Sequence, residues 1–194
     1  MNAPNLALFQ WLAAGTQPTP WVLSVASAFA LWGAWLSAIV LVVALWRHRP
    51  DRAYLCVVAA AAGLASLLSH AIAMQLDVPR PFVLGLAPAY IAHGGRGSLP
   101  STHATVMFMV AIAFLLRPGL RRPGLLLLAV AAVTGWARVY VGVHFPLDIL
   151  AGLLLGAVIA GALALGRWGF HLFAARTARG DALQRAARSP WRPS

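Results

Sequence analysis

Between Trp21 and Trp46 the chain reads "WVLSVASAFALWGAWLSAIVLVVALW", a run without a single charged residue. Crossing about 30 Å of hydrocarbon takes about 20 apolar residues in a helix, so this run is long enough to span a bilayer. Four more segments follow at intervals: Ala53–Leu76, His103–Leu116, Leu125–Trp136 extending toward Val141, and Pro146–Gly166. The third and fourth are short, which predicts that their functional ends lie slightly inside the membrane boundary. Residues 4–14, "PNLALFQWLAA", are apolar but too short to span, and they read as an interfacial helix. The expected fold is all-α: a polytopic membrane helical bundle of about five transmembrane helices plus that N-terminal helix.

Composition agrees. Of 194 residues, 61% are hydrophobic and 10% are charged, where a soluble domain carries roughly 25% charged residues. The mean hydropathy is +0.78. Fifteen basic residues, all arginine, face four acidic ones, all aspartate, for a net charge of +11. Nucleic-acid binding needs a solvated basic face, and these arginines sit between apolar runs, so no nucleic-acid partner is expected. The lone Cys56 can form no internal disulfide and reads as a packing residue. The first residues lack the basic region and cleavage site of a signal peptide, so internal segments carry the membrane reading.

Charge sets the orientation. Arg47, Arg49 and Arg52 follow the first span, Arg117, Arg121 and Arg122 the third, and six arginines from Arg167 to Arg192 the fifth. These ends share one side, which the positive-inside rule makes cytoplasmic. The expected topology is N-terminus out and C-terminus in, with residues 1–166 as the membrane domain and 167–194 as a basic cytoplasmic tail, partly helical and lying on the inner leaflet. The outer side receives only Arg80, Arg96 and Arg138, in the loops Asp77–Ser101 and Ala137–Leu147.

Three motifs meet on that outer side. "VPRPF" holds Arg80 between two prolines. In "PSTH", Ser101 is a natural N-cap for the third span, and a helix N-terminus with unpaired backbone N–H groups favours phosphate. "ARVYVGVHFPLD" spaces Arg138, His144 and Asp148 by six and four positions, with Pro146 suited to the first turn of the last helix. His144 then stands just before that helix and Asp148 within its first turn, where a carboxylate can orient the imidazole. Two arginines, a hydroxyl and a helix N-terminus make a phosphate cradle. An Asp-oriented histidine makes a nucleophile or base, and His103 can serve as acid. No carboxylate cluster suits Mg²⁺ or Ca²⁺ and no Cys/His set suits zinc, so metal-free chemistry is expected.

Each residue alone has a plainer reading. Arg80 is a headgroup anchor, Ser101 only a cap, His103 an interfacial polar residue, and Arg138 with Asp148 a structural ion pair. Their gathering on one side favours the site. His70, in the second span, reads as a buried hydrogen-bonded residue and His93 as a loop residue. His48 and His171 belong to the cytoplasmic basic face.

Arg-Pro, then Pro-Ser-x-His, then Arg-x5-His-x3-Asp resembles the type 2 phosphatidic acid phosphatase superfamily, which also includes the vanadium haloperoxidases. The likeness is closer to the bacitracin-resistance (BcrC-type) undecaprenyl-diphosphate phosphatases. It rests on "RPFVLGLAPAYIAHGGRGSLPSTHATVMF", on "WARVYVGVHFPLDILAGLLLG" and on "NLALFQWLAAGTQPTPWV". The resemblance implies that His144 attacks phosphorus to form a phosphohistidine, that Asp148 polarises it, and that His103 protonates the leaving oxygen and later activates water. Arg80, Ser101 and Arg138 would hold the phosphoryl oxygens.

The implied reaction is hydrolysis of undecaprenyl diphosphate at the periplasmic face of the bacterial inner membrane, without cofactor or metal. The implied partners are the polyprenyl diphosphate and membrane lipids. Three positions depart from the family pattern. Its usual lysine is replaced by Ala73, a role that Arg96 would partly take over unless Arg96 contacts outer-leaflet headgroups. Thr102 replaces a glycine and adds a hydroxyl to the cradle, and Ala137 replaces a serine.

The rivals are a phosphatase for another lipid phosphate such as phosphatidylglycerol phosphate, a lipid phosphotransferase, and a non-catalytic lipid-phosphate binding or transport protein. Oligomeric state is left open. Gly152-x3-Gly156 could serve dimerisation, with packing inside the bundle as the favoured use.

Overall fold

The computed structural model describes residues 3–188. Six α-helices make up its regular structure: α1 (Ala3–Leu12), α2 (Pro20–Arg47), α3 (Arg52–Leu76), α4 (Thr102–Leu115), α5 (Arg121–Tyr140) and α6 (Pro146–Arg188), with short 3₁₀ turns at Arg49–Asp51 and Pro118–Leu120. The five expected spans are α2 to α6, and the expected N-terminal helix is α1. Four of the spans are long and apolar enough to cross a membrane, and α4 is a shorter apolar helix.

α4 is the hub, packed against α3, α5 and α6, while α2 leans on α5. A helix that is apolar all round belongs in an interior, and nine of the 14 residues of α4 are buried, among them Met107, Met109 and Phe114. The outer helices instead present large apolar side chains outward, including Trp32, Trp35, Ile39, Leu64, Leu67 and Val158. Trp21 and Trp46, exposed at the two ends of α2, suit the aromatic belts of a bilayer.

Gly152 and Gly156 set the distance between α6 and α4. A Cβ on Gly156 would lie 2.6 Å from the Thr105 carbonyl oxygen, and one on Gly152 would lie 2.8 Å from that of Ser101. The two glycines therefore serve bundle packing, as small residues do in lipid. That contact brings the N-termini of α4 and α6 together, and the Ser101 amide donates to the Asp148 carbonyl at 3.0 Å.

The opposite end is pinned by charge. Arg117 Nε donates to Asp51 Oδ1 at 2.7 Å, and Tyr54 Oη donates to the Ala113 carbonyl at 2.7 Å. Arg117 and Arg167 both lie over the Tyr54 ring.

Several expectations need correction. α5 begins at Arg121 rather than Leu125, since Pro123 falls in the first turn, where no intrahelical amide bond is lost. α6 runs unbroken past Gly166 to Arg188. Arg192 and the late prolines Pro190 and Pro193 lie outside the described residues. Cys56 is exposed rather than packed inside. His70 is exposed rather than buried.

Candidate active site

The last turn of α5 and the first of α6 build the centre. Gly142, at φ +80°, allows the chain to reverse, and a Cβ there would lie 2.4 Å from the Pro88 carbonyl oxygen. The turn folds back so that the amides of Val143 and His144 both donate to the Arg138 carbonyl, at 3.2 and 3.3 Å. α1 buttresses it from outside, with Phe9 fully buried against Phe145 at a ring separation of 5.2 Å.

Asp148 sits in the first turn of α6. Its Oδ2 accepts from the Phe145 amide at 2.8 Å, as the acidic residue of a capping box does. The same oxygen accepts from Ser98 Oγ and lies 3.2 Å from His144 Nδ1. The network thus assigns the His144 proton to Nδ1, leaving the Nε2 lone pair for chemistry. Arg80 Nη1 stands 3.0 Å from that Nε2. His144 is 2% exposed, and burial, aided by the nearby Arg138 and Arg80 charges, holds its pKa well below the usual histidine value. A neutral imidazole is the form that can attack phosphorus.

Arg80 is held in place by backbone carbonyls, with Nη1 donating to Val143 at 2.8 Å and Nη2 to Gly97 at 3.1 Å. Burial draws its pKa below the ordinary arginine range, against the opposing pull of Asp148. Arg138 is also buried. Its Nη1 donates to the Ala30 carbonyl at 3.0 Å, and its Nε has no partner among the described residues. Arg138 and Asp148 form no ion pair, so that plainer reading fails.

A cavity of about 600 Å³ opens onto this cluster. Arg80, Arg138, His144, Thr102, His103 and Arg96 all line it. Ser101 and Asp148 do not. Ser101 is wholly buried and caps α4, its Oγ accepting from the Ala104 amide at 3.5 Å, while Asp148 stands behind His144. The Arg96 guanidinium is exposed, 3.9 Å from the Asp77 carboxylate, and the Arg96 carbonyl lies 3.4 Å from Arg80 Nε. Ala73 packs against Gly97.

Three residues escaped sequence reasoning. Ser98 binds Asp148. His93 does not merely occupy a loop, because its Nε2 lies 2.6 Å from Arg138 Nη2 and its ring is edge-on to His144. Burial and the charges of Arg80 and Arg138 lower the His93 pKa to about 4. His70, on α3, lines the same cavity. The only sequence signal for the two histidines was their side of the chain: both lie in or near the stretch that carries Arg80.

The arrangement offers an oriented imidazole, a second histidine across a cavity and two fixed guanidiniums, a set suited to phosphoryl transfer. Comparison with known proteins agrees. The PAP2 superfamily matches residues 52–171. YbjG of Escherichia coli (strain K12), named as a candidate undecaprenyl-diphosphatase, is 36% identical over 155 residues, 79% of this chain and 78% of that one. The undecaprenyl-diphosphatase BcrC of Bacillus subtilis (strain 168) is 35% identical over half of each chain. The crystal structure of Aquifex aeolicus LpxE shares the fold at a TM-score of 0.69 and 24% identity, covering 85% of this chain and 96% of that one. With the helical bundle, the motif residues around one cavity and these relatives in agreement, the chain belongs to the PAP2 superfamily and is a membrane lipid phosphatase.

Proposed function

We propose that the protein hydrolyses undecaprenyl diphosphate to undecaprenyl phosphate and inorganic phosphate. The observation that carries the mechanism is the His144–Asp148 pair, with Nδ1 on the carboxylate and Nε2 turned to the cavity beneath Arg80. His144 Nε2 attacks the terminal phosphorus, and the bond to the bridging oxygen breaks. His103 gives that oxygen a proton, so undecaprenyl phosphate leaves and a phosphohistidine remains. Water, giving its proton to His103, then attacks the phosphohistidine, and phosphate departs. Arg80 and Arg138 hold the phosphoryl oxygens as charge builds on them, with Thr102 and the α4 N-terminus beside them. Ser101 shapes that N-terminus as its cap, and Arg96 meets the substrate at the cavity rim.

The substrate is supported by the names of YbjG and BcrC together with a cavity that joins cationic residues to apolar helices. By the positive-inside rule the site faces the periplasm of a bacterial inner membrane and the C-terminus the cytoplasm. Residues 1–166 make up the phosphatase unit, and the basic stretch from Arg167, which continues α6 to Arg188, meets the anionic inner leaflet. Recycling of the lipid carrier would serve cell-wall synthesis and lessen sensitivity to bacitracin.

The test is phosphate release by detergent-purified protein in excess chelator, comparing undecaprenyl diphosphate with phosphatidylglycerol phosphate for wild type and His144→Ala. Chelator-resistant release that prefers the diphosphate and disappears in the variant is expected. Preference for the other lipid would overturn the substrate and keep the mechanism. Turnover without inorganic phosphate would point to transfer onto a lipid acceptor. Folded protein that binds but turns over neither lipid would leave the binding-protein reading.

A further inference from the structure

The cavity is larger than one phosphoryl group requires. At about 600 Å³ it lies within the range of about 300–1,000 Å³ typical of sites for drug-sized ligands. Arg80, Arg138, His144 and His103, the residues of the proposed mechanism, line only part of it. Another wall is a stripe of α3 formed by Ser66, His70, Ala73 and Met74, positions that share one helical face.

Ala73 fixes where this stripe meets the catalytic cluster. It abuts Gly97, and the Gly97 carbonyl accepts from Arg80 Nη2. His70 stands one turn before Ala73, about 5 Å along the axis. Because α3 rises into the loop that carries Arg80, one turn earlier is one turn deeper into the bundle. His70 is exposed and lines the cavity, less than two turns before α3 ends at Leu76. An ionisable residue that faces a cavity from within a membrane helix is by default a candidate contact on a ligand path.

We propose that His70 contacts the lipid-side phosphate of a lipid diphosphate, and so lets this site distinguish a diphosphate from a monophosphate. The proposal rests on the diphosphate reading above. When the terminal phosphate lies against His144, Arg80 and Arg138, the bridging oxygen points to His103. The inner phosphate then continues toward the tail, deeper in the bundle and toward the α3 wall. Either ring nitrogen of His70, when protonated, can donate to a phosphate oxygen. A lipid monophosphate has no group at that depth to accept this bond.

The test measures kcat/KM for a polyprenyl diphosphate and for a lipid monophosphate such as phosphatidic acid, in wild type, His70→Ala and His70→Gln. The diphosphate-to-monophosphate ratio should fall at least about tenfold in His70→Ala, the scale of a lost charge-assisted hydrogen bond. Glutamine, which keeps an N–H donor, should recover part of it. Inorganic pyrophosphate should inhibit the wild type at lower concentration than orthophosphate, with a narrower gap in His70→Ala. An unchanged ratio in both variants, an equal loss on both substrates, or equal inhibition of the wild type by the two anions would overturn the role of His70. Wild-type protein that leaves the diphosphate untouched would instead overturn the reading beneath it, and the proposal with it.

Discussion

His93 Nε2 lies 2.6 Å from Arg138 Nη2, while Nδ1 of the same ring lies 3.2 Å from the Gly94 carbonyl. A carbonyl can only accept, so Nδ1 carries the proton and Nε2 receives the bond from the guanidinium. The imidazole is therefore neutral and aims Arg138, which makes His93 a positioning residue. His93→Ala should lower kcat/KM about tenfold, on the scale of one hydrogen bond to a charged group. His93→Gln, whose amide oxygen can accept, should restore much of it. Equal loss in both variants would argue that the loop, and not the bond, is what matters.

Asp148 sets the tautomer of His144. Asp148→Asn still fills the space but can turn an amide N–H toward Nδ1, which moves the ring proton to the nitrogen that attacks in the proposed mechanism. A loss of about 10²–10⁴-fold in kcat is expected. The check is single-turnover phosphate release, with circular dichroism showing that the fold persists.

Acid should weaken the fold as well as the reaction. His93, with its pKa lowered to about 4, and His144, also lowered, stay neutral when folded. In the unfolded chain both protonate near the ordinary value of about 6.5. Between about 6.5 and 4 the unfolded state thus binds more protons, so stability is complete above 6.5 and declines as pH falls through that window. Melting temperature in detergent should drop from pH 7 to pH 4.5, and less steeply in His93→Gln. A flat profile would contradict the assigned neutral ring.

Gly156 has no room for a methyl group, since its Cβ would press on backbone atoms of Thr105 and Met109. Gly156→Ala should cost about 1–3 kcal/mol, as overpacking does. Activity should fall with it, because the α4–α6 contact also sets Ser101 against Asp148. Thermal unfolding and kcat/KM measured on the same preparation would show whether the two losses travel together.

The Asp51–Arg117 pair offers the converse. It lies at the far end of the bundle from the cavity, with Arg117 partly exposed. Asp51→Asn should lower stability by about 1–2 kcal/mol and leave kcat/KM within twofold of wild type. A large kinetic effect would show that the two ends are coupled.

Much of this site could be read from local sequence, for reasons tied to particular residues. Ser101 announces a helix start, Pro146 and Asp148 a second, and the spacing from Arg138 to His144 spans one helix end and one turn. Gly152 and Gly156 marked the contact that joins them. His93, Ser98 and His70 were less legible because their roles depend on where a loop folds back. Neither His93 nor Ser98 has a local pattern that points to partners 45 and 50 positions away. For His70, hydropathy placed the helix in the membrane but could not say which face of α3 borders a cavity and which borders lipid. The same blindness put Cys56 inside.

The shortness of α4 has a physical consequence for how this chemistry is supplied. Its 14 residues make a rod of about 21 Å, well under the roughly 30 Å of hydrocarbon its neighbours cross. In the proposed orientation, an α4 whose Arg117 end sits at the cytoplasmic surface has a Thr102 end that stops below the outer headgroups. A long-chain lipid reaching that end keeps its tail at its resting depth and is never lifted out. Water would make the journey instead, through the cavity lined by Arg80, Arg96 and His103, to a depth where it is otherwise scarce. A thicker bilayer would lengthen that descent, so the hydration step of the proposed mechanism should be sensitive to the lipids around the protein.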